Sequence, residues 1–352
     1  MEAMERAAAR EGAPKRRALL LPALRLIVSL ALVAWVLHRA RFAEVADAFR
    51  SADPWPVLLA LALNPVGYWA SVSRWRLLLR ARGVDVPFGV LVRSFLVGVF
   101  FNNLLPSTIG GDAVRAWESS RAGAGRSTAI AVVLVDRFLG LLTLMLMAAV
   151  GVLLSPRLTE RVPALYVWVM AGAAGMGICA WLLFGRSRRA AALLARLQTL
   201  LPGTWRPKAG AAAEALLAFR GRYGVLVRGL GYSLVLQTAV VLNGYLLARA
   251  LHVAIPLPYF FLIVPVAVFV MMVPVSINAI GVRENVWAFF FTAFGVSGAA
   301  ASGVAVAWLD YGLVLLQALV GGVLWLAGRR DRRSAVPGDV SAGPLEAEGA
   351  AR

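Results

Sequence analysis

The chain has 352 residues, 60% of them hydrophobic and 15% charged, with a mean hydropathy of +0.75. Soluble domains carry about 25% charge and about 45–50% apolar residues, so the composition excludes an ordinary soluble globular protein. The formal charge is +18, but the arginines flank apolar runs instead of forming one basic domain. That excludes a nucleic-acid module and fits topogenic charge with attraction to anionic lipid headgroups.

Residues 1–17 read as a loose basic arm. Apolar runs follow at about 18–37, 54–73, 88–105, 128–154, 163–184, 225–250, 258–275 and 300–327. A run of about 18 residues or more can cross ~30 Å of hydrocarbon. The first run follows Lys15, Arg16 and Arg17 but lacks a small-x-small exit, so it is expected to be a retained anchor. The predicted fold class is an all-α, polytopic helical membrane protein with a single transmembrane domain at 18–327 and a disordered tail at 328–352. One cysteine, Cys179, and two histidines, His38 and His252, leave no disulfide framework or Cys/His metal site. No cofactor is expected.

The longest polar interruption, 185–224, sets Arg186, Arg188, Arg189, Arg196, Arg206, Lys208, Arg220 and Arg222 against one acid, Glu214. Within it "AAALLARLQTLL" (190–201) can lie flat as an interfacial amphipathic helix. If all eight segments crossed with the N-terminus inside, this basic loop would fall outside, against the positive-inside rule. The rule is met if 88–117 and 258–295 enter and leave on one face as re-entrant hairpins. The loop then lies inside with Arg74, Arg76, Arg80, Arg82, Arg121 and Arg126, and both termini are cytoplasmic. The expected architecture is six crossings plus two hairpins, in two inverted repeats at 18–154 and 163–327, a layout common to transporters.

The polar stretches concentrate in those hairpins. "FNNLLPSTIGGDAVRAW" (101–117) combines Asn103, Pro106, Ser107, Gly110, Gly111, Asp112 and Arg115 at the end of an apolar run. Pro106 ends a helix, the glycines allow a tight turn, and Ser107 or Asp112 can cap a following half-helix. "VPVSINAIGVRENVW" (273–287) repeats the grammar with Pro274, Ser276, Asn278, Gly281, Arg283 and Glu284. Irregular chain at membrane depth must be buried in protein or line a wet cavity. Asp136 and Arg137 lie inside the fourth run and Asp310 inside the last. Each such charge costs ~2.5–3.5 kcal/mol at a helix centre unless something compensates it. Snorkelling toward a nearby interface, or a structural interhelix ion pair, is the plain alternative for each of them. "GAAGMG" (172–177) reads as a small-residue helix-packing stripe.

These residues resemble the lysylphosphatidylglycerol synthase transmembrane-region family, also called flippase-like integral membrane proteins. The resemblance rests on the N-x-x-P…GGD-x-x-R of Asn103, Pro106, Gly110, Gly111, Asp112 and Arg115, and on the DR-x-x-G of Asp136, Arg137 and Gly140. It rests also on the G-V-R-E of Gly281 to Glu284 and the Arg-Trp within "SRWRLLL" (73–79). It implies a bacterial inner-membrane protein related to the domain that moves aminoacylated lipid between leaflets. The synthase's soluble aminoacyl-transferase domain has no counterpart in this sequence, so lysyl transfer is not carried over. The expected function is translocation of a phospholipid, glycolipid or lipid-linked intermediate. Asn103, Gly110, Gly111, Asp112, Arg115, Asp136, Arg137, Ser276, Asn278, Arg283, Glu284 and Asp310 are the candidate substrate-binding residues. The arginines suit a phosphate or diphosphate headgroup. The rival readings are a membrane-embedded enzyme on polyprenyl-phosphate lipids, using Asp112 or Glu284 as acid/base, and a non-catalytic partner of a membrane glycosyltransferase or synthase.

Overall fold

The computed structural model describes residues 42–104, 110–121, 123–155, 162–185, 206–273 and 275–334, with positions 27, 192–193, 196 and 202–203. The basic arm, nearly all of the first apolar run, most of the predicted 190–201 helix, Pro106, Ser107, Pro274 and residues 335–352 lie outside the described residues. Among the described residues every regular element is helical. They are α1 (Phe42–Arg50), α2 (Pro54–Arg80), α3 (Phe88–Leu104), α4 (Gly110–Arg121), α5 (Arg126–Leu153) and α6 (Pro163–Phe184). After them come α7 (Arg206–Leu217), α8 (Tyr223–Ala250), α9 (Leu257–Met272), a 3₁₀ turn (Ile277–Ala279), α10 (Val282–Ala293) and α11 (Ala299–Ser334).

The elements follow the hydropathy. Helices α2, α5, α6, α8 and α11 are long and apolar enough to cross a membrane. Helices α3 and α9 are apolar but only 17 and 16 residues long. At 1.5 Å per residue that is about 25 Å, short of the ~30 Å hydrocarbon. After them the next α-helices start at Gly110 and Val282. Asp53 starts α2 by accepting the Trp55 amide at 3.0 Å, with Pro54 in the first turn, where its missing N–H costs nothing. Helix α11 runs on to Ser334, seven residues past the end of the predicted transmembrane domain at 327.

Hydrogen bonds tie the helix ends into two groups. At one end Arg82 donates to the Ala218 carbonyl at 3.4 Å, Arg222 donates to the Ala81 carbonyl, and Arg220 donates to the Gly185 carbonyl at 2.6 Å. The finish of α2, the finish of α6 and the start of α8 therefore share that end. At the opposite end the Asp53 amide donates to the Ala250 carbonyl at 2.8 Å, and the Tyr259 and Phe294 rings meet edge to face with centroids 4.7 Å apart. Helix α4 folds back along α3, with Gly111 against Gly98 and Arg115 over Phe95. Helix α10 folds back along α9, with Trp287 against Phe260. The first hairpin thus opens at one end of the bundle and the second at the other. Their tips touch where Asn278 Nδ2 donates to the Asn103 carbonyl at 3.1 Å.

The helix pairings have an internal regularity. Helix α2 packs on α8, α3 on α11, α9 on α5, α4 on α5, α10 on α11, α2 on α5 and α8 on α11. Exchanging α2 with α8, α3 with α9, α4 with α10 and α5 with α11 leaves this set unchanged, while the packing of α5 on α8 has no equally extensive counterpart between α11 and α2. The bonds across α2 and α8 obey the same exchange: Arg74 donates to Ser233, and Asn243 donates to Asn64.

Close packing depends on particular glycines. A Cβ at Gly151 would stand 2.5 Å from the Leu262 amide nitrogen, so α5 and α9 touch backbone to backbone there. Of the glycines in the predicted small-residue stripe, Gly172 meets Met145, while Gly175 and Gly177 have nothing within 4 Å among the described residues. Overpacking costs about 1–3 kcal/mol. Gly151→Val is therefore expected to lower the melting temperature in detergent, while Gly175→Ala leaves it unchanged, measured by fluorescence-detected size exclusion after heating.

Candidate functional site

The deepest charge in the bundle is Asp136 on α5, only 2% exposed. Arg74 of α2 donates from Nε to Oδ1 at 2.6 Å, and Arg115 of α4 donates from Nη1 to Oδ2 at 3.1 Å. Arg74 and Arg115 are themselves 4% and 7% exposed. One carboxylate thus receives two guanidiniums from two other helices. Arg74 also donates from Nη1 to Ser233 Oγ at 2.6 Å, and that hydroxyl passes its own proton to the Gly229 carbonyl at 2.9 Å. Arg115 lies 4.7 Å from the Trp75 ring and 5.5 Å from the Phe95 ring, so its faces are stacked and water is kept off them. Its Nε and Nη2 are buried and have no partner among the described residues.

A second pair joins the same helices. Arg137 donates to Asp112 from Nε at 2.8 Å and from Nη2 at 2.7 Å, a bidentate contact between α5 and α4. The neighbours Asp136 and Arg137 therefore do not neutralise each other, and neither do Asp112 and Arg115. Each takes its partner from another helix.

Together these side chains line a cavity of about 270 Å³. Tyr68, Ser71 and Arg74 come from α2; Phe95, Gly98, Val99 and Asn102 from α3; Asp112 and Arg115 from α4; Asp136, Arg137 and Gly140 from α5. Val268 and Met272 reach it from the tip of α9, so both broken elements contribute to the wall. Gly111 explains the glycine pair. Its amide donates to Asn102 Oδ1 at 2.6 Å, and a Cβ there would stand 2.8 Å from the Gly98 carbonyl oxygen. At Gly140 a Cβ would lie 3.4 Å from Arg74 Nη1, an ordinary contact that the guanidinium can accept.

The remaining predicted residues fall elsewhere. Asn103 ties its amide to the Val99 carbonyl at 2.9 Å and offers its own carbonyl to Asn278. Asn278 and Ala279 sit at positive φ, 50° and 56°, which Asn tolerates and Ala adopts only at a cost. Ser276 is buried in the same turn. Arg283 reaches Asp310 at 3.5 Å and lies over the Tyr311 ring at 5.0 Å. Glu284 accepts the Gly281 amide at 2.7 Å and so caps the start of α10. None of Ser276, Asn278, Arg283, Glu284 and Asp310 lines the cavity around Asp136. Gly110 is the first residue of α4.

Sequence reasoning missed Arg74, Asn102, Ser233 and the aromatic walls Tyr68 and Phe95. In the sequence Arg74 stands with Arg76, Arg80 and Arg82, a set that the positive-inside rule reads as topogenic charge. Its signal was present, because it opens the Arg-Trp pair and sits with apolar residues beyond it. Ser233 has no such signal. Among the described residues no three His, Cys, Asp or Glu side chains gather as a metal site.

Comparison with known proteins places the chain. It matches the family model described as lysylphosphatidylglycerol synthase TM region over residues 23–326, and it belongs to that family. A relative from Methanothermobacter thermautotrophicus, named UPF0104 membrane protein, is 38% identical over 96 residues. That match takes in 27% of this chain and spans only 28% of the relative's own length.

Removing one partner of a buried ion cluster costs about 3–5 kcal/mol, because the charges left behind stay dry and unpaired. Asp136→Ala is expected to lose at least that much in detergent-solubilised unfolding. Asp112→Ala, whose partner Arg137 has a side chain 45% exposed, should lose far less. Equal losses would mean that the Asp136 cluster is wetter than its burial indicates.

Proposed function

We propose that this member of the lysylphosphatidylglycerol synthase transmembrane-region family is a lipid translocator. Its polar cavity would take the phosphate-bearing headgroup of a phospholipid, glycolipid or lipid-linked intermediate, while the acyl chains remain in the bilayer. The observation that carries this reading is a charge imbalance. Three guanidiniums (Arg74, Arg115, Arg137) face two carboxylates (Asp112, Asp136) around one cavity, and two nitrogens of Arg115 have no partner among the described residues. A dry site with a surplus positive charge is stabilised by an anion, and guanidinium forks match phosphate oxygens. The volume of about 270 Å³ lies below the ~300–1,000 Å³ usual for drug-sized ligands, so it suits a headgroup and not a whole lipid.

On this reading the α3/α4 and α9/α10 hairpins are re-entrant from opposite leaflets, and the exchange symmetry of the packing is that of an inverted repeat. Arg283 and Asp310 then join α10 to α11 as the ion pairs of Arg115 with Asp136 and of Arg137 with Asp112 join α4 to α5. The end that carries Arg76, Arg80, Arg82, Arg121, Arg126, Lys208, Arg220 and Arg222 faces the cytoplasm of the bacterial inner membrane, with both termini on that side.

Two measurements test this. In a Cys179→Ser background, Arg121→Cys is expected to react with a membrane-impermeant maleimide only from the cytoplasmic side, and Arg50→Cys only from outside. Reversed labelling overturns the orientation. In liposomes containing headgroup-labelled phosphatidylglycerol, the protein is expected to move label between leaflets without changing the lipid covalently. Arg115→Gln should reduce that movement to the protein-free background while remaining monodisperse, because Asp136 keeps Arg74. Wild-type rates in Arg115→Gln, or a new lipid product in place of movement, would sink the translocator reading.

A further inference from the structure

A second cationic cavity lies closer to the basic end. Arg76 and Arg80 leave the last turns of α2 and, with Trp69, Ser73, Phe88 and Tyr232, line an open space of about 360 Å³. Trp69 and Tyr232 form one wall, edge to face at 5.7 Å. Helix α2 has 27 residues, so it is about 40 Å long against ~30 Å of hydrocarbon, and its last turn projects into the headgroup layer. Here too, among the described residues, cations outnumber anions. Arg80 donates to Asp85 from Nε at 2.9 Å and from Nη2 at 3.2 Å. Arg76 reaches the same carboxylate only at 3.6 Å, and its Nε is buried without a partner among the described residues. The Arg80 hydrogen bond holds the Asp85 carboxyl below the usual range, so it is ionised at neutral pH and the surplus is one positive charge.

An apolar groove of about 590 Å³ runs beside this cavity, between α2, α3 and α11. Trp69 and Phe88 belong to both spaces. Ala62, Pro65 and Val320 form an exposed apolar rim, the surface that a bilayer covers. Tyr68 and Phe95 belong to both the groove and the cavity around Asp136. Their rings pack at 5.1 Å, and the Tyr68 hydroxyl donates to Gln317.

We propose that Arg76, Arg80 and the α2–α3–α11 groove form an interfacial binding site for an anionic phospholipid, with its phosphate on the guanidiniums and one acyl chain in the groove. Two adjoining chemistries select that occupant. A free phosphate leaves the groove empty, and an uncharged lipid leaves Arg76 unmatched. Binding here does not depend on the translocator reading; where that reading holds, this is the entry site, and Tyr68 with Phe95 is the partition that the headgroup passes.

The test uses the full-length protein in mild detergent and native mass spectrometry with phosphatidylglycerol, diacylglycerol and inorganic phosphate. Wild type is expected to retain phosphatidylglycerol and not diacylglycerol, and millimolar inorganic phosphate should not displace the lipid. Arg76→Gln with Arg80→Gln should cut retention about tenfold or more, the scale of a lost charge-assisted hydrogen bond. Val320→Trp, which fills the groove and leaves both arginines in place, should give a comparable loss and decides alone if the arginine variant fails to fold. Retention unchanged in Val320→Trp overturns the site. So does displacement by inorganic phosphate, which would mean an ion site alone. If retention falls only in Arg115→Gln, the interfacial site is wrong while the buried cavity still stands as a lipid site.

Discussion

Asp136 is the constraint on which the architecture turns. A carboxylate 2% exposed in an apolar bundle is stable only if its charge is matched at contact distance. The match comes from Arg74 at 2.6 Å and Arg115 at 3.1 Å, on different helices, and Arg74 is itself steadied by Ser233 on a third. One charge therefore fixes the relative positions of α2, α4, α5 and α8. Lipid offers no hydrophobic force between helices, so such directional contacts and close packing must do that work. The cluster also over-compensates, because two cations converge on one anion.

That convergence requires the chain to be broken where it is. Arg115 reaches Asp136 because α4 returns along α3, and it returns closely because Gly111 meets Gly98 without intervening side chains. The freed backbone groups are taken up locally. Asn102 accepts the Gly111 amide, Asn103 gives its carbonyl to Asn278, and Glu284 accepts the Gly281 amide. The polar residues thus divide by role. Asn103, Asn278 and Glu284 satisfy backbone and hold the hairpin tips, and Asn102 does so while also lining the cavity. Asp112 and Arg115 face the cavity with Asp136 and Arg137 of α5, and Arg283 pairs with Asp310 away from it.

This division was not legible in the sequence, although most of the elements were. Hydropathy places α6 at its observed bounds and α3, α5, α8 and α9 within a few residues of theirs, while α2 and α11 run on seven residues beyond their apolar runs; α1 and α7 have no apolar run to announce them, and α4 and α10 are foreseen only as the return limbs of the hairpins. Charged positions inside those runs were equally plain. Partner choice was not, since Asp112 and Arg115 share a helical face yet bond across to Arg137 and Asp136. Such pairing is a tertiary fact. Arg74 shows the limit most sharply. Near a helix end and close to three other arginines, it looked like topogenic charge, and only the approach of α5 distinguishes it from Arg76 two residues on. Glu284 errs the other way: a carboxylate beside Arg283 suggested a functional pair, while its own helix start claims it.

Arg74 and Arg76 also explain how one helix can serve two environments. Two residues along an α-helix is only about 3 Å of rise but about 200° of rotation. Arg74 therefore points into the dry cluster, and Arg76 into the open cavity beside Trp69 and Tyr232. Tyr68 lies between those two faces of α2, and its ring against Phe95 separates the spaces. In the proposed translocator, a headgroup moving inward would travel around α2 more than down it. A phosphate alone in hydrocarbon pays several kcal/mol in lost hydration, whereas one passed from Arg76 to Arg115 stays within reach of a surplus guanidinium at both stations. The cost of the step then falls on parting Tyr68 from Gln317 and Phe95, a hydrogen bond and a ring contact worth about 1–3 kcal/mol together. A partition of that strength can hold the cavity closed to lipid tails and still open on thermal timescales.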